Sequence, residues 1–276
     1  MRRVAIALLV CAAAAALAAC GLEPKPRVLP AGFAHPRFML ISDEAQGPLL
    51  VGGDYGMQYS LDGGRTWQVP ATGRKPVVAA APYYDRILVS RGTTAQVYDY
   101  SLQGEANPRV AWPFGDAVML LAGNARRVRL WALSADDTLQ LHYSNDGGTN
   151  WWDLPAVGLC AHPRALAVGG AKGKETERLW VACGRQGLQA SDDLGASFQY
   201  VPGVSTATTV AAARSAAGRI AVATPKVIVT RDNGRTWSIS GLKASVIAID
   251  PRNPDLVFAV GTDGRLFASL DGGRSF

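Results

Sequence analysis

One eight-residue phrase recurs five times along this chain of 276 residues: SLDGGRTW from Ser60, SNDGGTNW from Ser144, SDDLGASF from Ser191, TRDNGRTW from Thr230 and SLDGGRSF from Ser269. The shared frame is a Ser or Thr, an Asp two residues on, a Gly two further, and an aromatic ring three beyond that. Ser60, Asp62, Gly64 and Trp67 fill it first, then Ser144, Asp146, Gly148 and Trp151. Ser191, Asp193, Gly195 and Phe198 follow, then Thr230, Asp232, Gly234 and Trp237, and last Ser269, Asp271, Gly273 and Phe276. Successive starts lie 84, 47, 39 and 39 residues apart. The first interval is two periods long and holds a degenerate copy at Ser101, with Gln103 where the Asp should be. The chain therefore reads as six units of about 40 residues, and a period of that length constrains the fold more than any composition does.

The octet has local physics. Ser, Thr and Asp side chains bond nearby backbone amides and hold a tight turn. Gly supplies a backbone conformation that other residues adopt only with strain. The aromatic residue opens the next strand and buries its ring. Between octets the sequence is short apolar runs cut by Gly, Asn, Asp or Pro, such as SVIAID, DLVFAVG and RLFAS in the last unit. With 30 Gly and 16 Pro, long helices have little room. Four strands per unit, repeated, predict an all-β fold: a single β-propeller of six four-stranded blades, with seven as the alternative. The octet precedes the fourth strand of its unit, yet the last octet ends on Phe276, the final residue of the given sequence. Since an unpaired sheet edge is a liability, the early segment PRVLP, residues 26–30, is expected to supply the missing strand, the alternatives being a three-stranded last unit or a truncated sequence.

The repeat resembles the Asp-box, or BNR, repeat of sialidases, sortilin-type receptors, xyloglucanase-type glycosidases and the photosystem II assembly factor family, and the resemblance spans the whole chain after its leader. It implies that the octets are structural and lie away from any active site. Spacing argues the same way: the octet Asp residues occupy equivalent turns of different units, whereas glycoside hydrolysis needs two carboxylates within roughly 5–10 Å. The octets also lack the alternating oxygen ligands of a calcium loop. Sialidase chemistry would require an arginine triad, a Tyr nucleophile paired with Glu, and an Arg-Ile-Pro motif before the first box. Here Arg37 is followed by Phe and Met, and Glu44, Glu105, Glu175 and Glu177 have no evident Tyr partner. Motifs of serine hydrolases, zinc proteases and phosphate loops are missing from the sequence. No catalytic residue, metal or cofactor is expected.

The N-terminus reads as a targeting segment: a basic MRR, then an apolar run into small residues that stops at Cys20. Leu17-Ala18-Ala19-Cys20 resembles the lipobox of bacterial lipoproteins. That resemblance implies cleavage before Cys20, lipidation of Cys20, and, with Gly21 next, a place at the periplasmic face of the outer membrane. The expected organisation is a signal peptide over 1–19, a Pro-rich tether over 20–35 and the propeller over 36–276. Once Arg2 and Arg3 are removed with the leader, 26 basic residues face 22 acidic ones, without any run of Lys or Arg. Nucleic acid is excluded as a partner on that ground.

Cys160 and Cys183 remain as an even pair in an oxidising compartment, which points to a disulfide, the alternative being two buried thiols. His35, His142 and His162 are scattered. His35 and His162 share the phrase AHPR, read as a turn entering the first strand of a unit. The candidate contact residues are Tyr83, Tyr84 and Arg86 in the YYDR loop, and Arg126 and Arg127 in GNARRVR, because Arg and Tyr anchor interfaces. The charged insertion 169–178 is a further candidate hairpin tip. The function expected is a non-catalytic periplasmic lipoprotein that serves as a binding scaffold or assembly factor. Its partner would be an envelope protein complex, and the lipid anchor would hold it to the membrane. The alternative is a carbohydrate-binding or sialidase-like glycosidase propeller that takes a glycan.

Overall fold

Apolar runs of four to eight residues, punctuated by tight turns, can bury their faces only by pairing as strands and stacking as sheets. The computed structural model describes residues 26–276 apart from 31, 34, 43–46, 71–74, 84–85, 92–94, 100–116, 125–128, 136–138 and 171–176. The leader, Cys20 and the degenerate repeat at Ser101 lie outside the described residues.

Strand β1 (Arg27–Val28) comes first. β2 (Phe38–Ile41), β3 (Leu49–Gly53) and β4 (Gly56–Ser60) form one antiparallel sheet, and a bridge from Tyr59 to Gln68 begins its fourth strand. β5 (Ala79–Tyr83), β6 (Arg86–Ser90) and β7 (Ala95–Asp99) form the next. β8 (Ala117–Asn124), β9 (Arg129–Ala135), β10 (Leu139–Ser144) and β11 (Trp152–Leu154) form a third. β12 (Ala165–Gly170), β13 (Glu177–Ala182), β14 (Leu188–Ser191) and β15 (Gln199–Tyr200) form a fourth. β16 (Thr209–Ala212), β17 (Ile220–Thr224) and β18 (Lys226–Thr230) are followed by the long β19 (Ser238–Ile249), then β20 (Val257–Gly261) and β21 (Arg265–Ser269).

β19 serves two sheets. Ser238 and Ile239 pair with β18, while Val246–Ile249 pair with β20. Burial is greatest in the middle of the sheets: β3 and β20, second strands, are buried along their whole length, the innermost β2 and β12 are partly buried, and the outer β15 is exposed. Among the described residues the innermost strands touch in a closed circuit, β2 to β5, β8, β12, β16, β19 and back to β2. This circuit of sheets around one axis is a β-propeller. Along the axis, Met39, Ala81, Leu121, Val168, Val210 and Ile247 leave a cavity of only about 130 Å³.

β1 closes the circuit. Arg27 pairs with Leu266 and Val28 with Arg265, so the start of the described chain forms the outer strand beside β21. The Arg27 guanidinium donates to the carbonyl of Gly63, in the first octet. Leu29 and Phe33 enter a core shared by Met39, Ile41 and Val51 of the first sheet and Val246, Phe258 and Leu266 of the last. The join is thus a hydrophobic seam as well as a strand pairing.

All five octets adopt one geometry. In the first, the Ser60 hydroxyl donates to Asp62 at 2.7 Å and accepts from the Gly64 N–H at 2.7 Å. Asp62 in turn accepts from the Thr66 N–H at 2.9 Å and the Thr66 hydroxyl at 2.7 Å. The residue between Asp and Gly is left-handed every time: Gly63, Gly147 and Gly272 take it freely, but Leu194 (φ 62°) and Asn233 (φ 63°) carry side chains there. The Gly that follows is required twice over. It too has positive φ, and it lies against the preceding sheet. A Cβ on Gly64 would overlap Leu266, and one on Gly195, Gly234 or Gly273 would stand 2.8 Å from Leu141, Val201 or Val229.

These bonds also act on the carboxyls. Partial burial alone would raise Asp62, but donors from Thr66, Ser60 and Arg65 outweigh it and bring the group down to about 2. Asp146, Asp193 and Asp271 are lowered against partial burial in the same way, and Asp232 is lowered by the hydroxyls of Thr230 and Thr236 and the Thr236 N–H.

Three outcomes follow for stability. Phe33→Ala should cost about 3–5 kcal/mol in chemical denaturation, while Val28→Ala, at a side chain 80% exposed, should cost little. Gly64→Ala should cost about 2–4 kcal/mol, from left-handed strain plus overpacking against Leu266; a neutral result would remove the close-contact role of the octet glycine. Because the octet carboxyls titrate lower folded than unfolded, their contribution is complete above about pH 4 and is lost as pH falls toward 2. Calorimetry should show a Tm that begins to drop below about pH 4, and a flat profile down to about pH 2 would contradict it.

Candidate functional site

The strand directions divide the molecule into two ends. The octets connect third strands to fourth strands, and they share an end with the β2–β3, β5–β6, β8–β9 and β12–β13 turns. Tyr83 is the last residue of β5 and opposes Arg86, the first of β6, at the octet end. Asn124, the last residue of β8, opposes Arg129, the first of β9, at the same end. Tyr84, Arg126, Arg127 and the insertion tip 171–176 lie outside the described residues. The octet carboxyls are spread over separate sheets, each spent on its own turn. Among the described residues no group of three or more His, Cys, Asp or Glu is gathered in a way that could hold a metal.

Two polar clusters resemble chemistry. On β9, β10 and β11, Ser134 Oγ lies 2.8 Å from His142 Nε2, and His142 Nδ1 lies 2.8 Å from Asp153 Oδ1. The order is that of a hydrolase triad, but Ser134 and His142 are 0% and 1% exposed, so no substrate reaches the hydroxyl. The cluster satisfies buried polar groups inside a sheet. The second cluster joins two sheets at the octet end, where Arg129 pairs with the buried Glu177. Tyr143 lies in their field. Burial pushes its hydroxyl up; Arg129 pulls it down and Glu177 pushes it up further, with a net rise. No Tyr partner for Glu177 is evident in the sequence, because residues 143 and 177 meet only across two sheets. The rise is opposite to what activates a phenol as a nucleophile.

The opposite end carries an open pocket of about 940 Å³ between the fourth sheet and the β16–β18 sheet. His162 and Arg164 come from the segment entering β12, Arg185 and Gln186 from the β13–β14 turn, and Thr206 and Thr208 from the segment entering β16. Both AHPR phrases run into an innermost strand here, residues 34–37 into β2 and 161–164 into β12. The wall is fixed by covalent and polar ties. Cys160 and Cys183 form a disulfide that fastens one loop to the other. Fully buried Gln189 accepts from the Cys160 N–H at 2.9 Å and donates to the Gly158 carbonyl at 2.8 Å. Gly184 and Ala207 exchange backbone bonds of 2.8 and 2.9 Å across the two sheets. Arg164 and Arg185 are exposed and have no ion-pair partner among the described residues. Of these residues the sequence drew attention only to the cysteines and His162. The pocket is assembled from four separated segments, and no periodicity connects them.

The BNR/Asp-box repeat family model matches residues 58–69, the first octet and its flanks. No curated protein sequence matches the chain. Solved structures do. The GH74 enzyme of Niastella koreensis aligns over 84% of this chain and 36% of its own, at 17% identity and a TM-score of 0.52. The GH74 xyloglucanase of Xanthomonas campestris aligns over 91% and 54%, at 15% identity and a TM-score of 0.54. The chain thus spans about a third and about half of these two enzymes. YCF48 bound to D1 peptide aligns over 90% and 96%, at 12% identity and a TM-score of 0.53. At such identities the likeness is one of fold. The chain is a β-propeller with BNR/Asp-box repeats.

Proposed function

We propose that this chain is a non-catalytic lipoprotein propeller at the periplasmic face of the outer membrane, where it serves as a scaffold or assembly factor for an envelope protein complex. The observation that carries the reading is the open pocket at the end away from the octets, built on rigid elements and walled by a disulfide. Preorganised loops at one end of a stiff ring suit binding, since ordering costs are met before a partner arrives. A disulfide in the wall suits an oxidising compartment. The polar clusters that resemble active sites are sealed, or shifted away from reactivity, as described above. YCF48, which spans nearly the same length, has been solved with a bound peptide, which supports protein binding as a use of this architecture.

The GH74 likeness supports the second reading, a carbohydrate-binding or glycosidase-like propeller. The two readings part in one experiment. In-cell crosslinking followed by pull-down from envelope membranes should recover a stoichiometric protein partner, weakened or lost in Cys20→Ala, which lacks the lipidation site. Recovery of glycan fragments, or of nothing, would overturn the scaffold reading and move a sugar-binding panel to the front.

A further inference from the structure

Several arginines at both ends of this molecule lie beside a carboxylate, whereas two at the pocket do not. At the octet end Arg129 meets Glu177, Arg178 meets Asp192 at 3.5 Å, and Arg219 and Arg231 share Asp255 at 2.6 and 2.9 Å. At the pocket end Arg37 and Arg265 have Asp54 and Asp263. Arg164 and Arg185, at the pocket itself, have no acidic partner among the described residues. The next wall residue, Pro225, leads into Lys226, which pairs across the strands directly with Lys243. Both lysines are exposed and neither has an ion-pair partner among the described residues. Like charges placed opposite one another on paired strands destabilise the pairing. A counter-charge brought by a ligand would relieve that cost, and no described acidic side chain supplies one.

We infer that the pocket lined by Arg164 and Arg185, with the Lys226/Lys243 pair at its edge, binds an acidic segment of a protein partner through its carboxylates. The inference rests on the scaffold reading and names the chemistry by which that scaffold recognises its partner. Arg presents a planar fork that matches a carboxylate with two parallel bonds. Four cations spread from the β13–β14 turn to the β18–β19 pairing suit a chain carrying several carboxylates better than one compact anion. Thr206, Thr208 and Gln186 add hydroxyl and amide groups that fit the intervening peptide backbone. The disulfide holds Arg185 two residues from Cys183, and Arg164 is anchored by its own N–H to the Ala182 carbonyl at 2.7 Å. The two guanidinium groups are therefore mounted on fixed backbone before anything binds. The resulting positive field also speeds encounter with an acidic segment, more so at low salt.

Fluorescein-labelled hexaglutamate is the probe, followed by anisotropy on the intact protein. The wild type should bind it, bind hexaglutamine at least about tenfold more weakly, and lose affinity steeply as salt is raised. Arg164→Glu/Arg185→Glu should weaken hexaglutamate binding by a further factor of ten or more, on the order expected for reversing paired contacts. The control, Arg235→Glu/Arg274→Glu, makes the same change in net charge in octet turns and should leave binding unchanged. Arg164→Ala/Arg185→Ala tests the same contacts if the charge reversal disturbs folding. No binding to hexaglutamate, or equal loss in the octet-turn control, would overturn the assignment. So would arginine-dependent binding to phosphatidylglycerol vesicles without hexaglutamate binding, which would make the surface a lipid contact. The crosslinking experiment separates the two levels. A partner captured equally by wild type and by Arg164→Glu/Arg185→Glu refutes this site while the scaffold stands, and capture by neither refutes the scaffold itself.

Discussion

The octet glycine, placed against the sheet before it, is the contact on which the ring depends. Each sheet buries both faces, and each must therefore meet its neighbour at a fixed angle and separation. The Ser–Asp–Gly turn sets that distance. Its hydroxyl and carboxylate satisfy the turn's own amides, which lets the backbone close tightly. The resulting left-handed Gly then brings bare backbone up to Leu266, Leu141, Val201 or Val229 of the preceding sheet. A methyl group at that point would force two sheets apart, and in a closed ring a displacement at one seam must be taken up by the others.

The aromatic position obeys a looser rule. Trp151 donates its indole N–H to the Gly148 carbonyl, but the Trp67 and Trp237 indole N–H groups have no partner among the described residues. The octet therefore uses the ring mainly for its packing, which is why Phe198 and Phe276 fill the same place. Phe198 is buried in the core shared by the third and fourth sheets. Leu194 shows the same priority in another form. It accepts a left-handed backbone, and in return its side chain joins that core and its carbonyl receives the Trp131 indole N–H at 2.9 Å.

The sequence made the repeat, the strand rhythm and the turn chemistry legible because these are local and periodic: Ser60, Asp62 and Gly64 lie within five residues, and their bonds follow from spacing alone. The expected edge-closing segment could also be located, since PRVLP is a short strand-like run beside a unit that lacks one, and the structure pairs Arg27 and Val28 with β21. The contacts between sheets were not legible. Tyr143 and Glu177 come together through two sheets and an intervening seam. Ser134, His142 and Asp153 meet because β9, β10 and β11 are adjacent and in register. Neither arrangement has a spacing that a linear reading could use. The YYDR and GNARRVR loops are contact candidates by composition alone, and Tyr84, Arg126 and Arg127 lie outside the described residues.

Strand direction sends every octet to one end, together with the turns between first and second strands. There, among the described residues, the octet hydroxyls and carboxylates bond their own turns, and Arg129, Arg178, Arg219 and Arg231 meet acidic side chains. The other end receives the segments entering each innermost strand and the turns between second and third strands. Gly184 joins Ala207 there, and the disulfide joins Cys160 to Cys183, so rigidity comes from backbone and covalent bonds rather than from side-chain charge. Arg164 and Arg185 stand on this fixed backbone and have no ion-pair partner among the described residues. Side chains carried on loops that backbone and covalent bonds already hold can change without disturbing the ring.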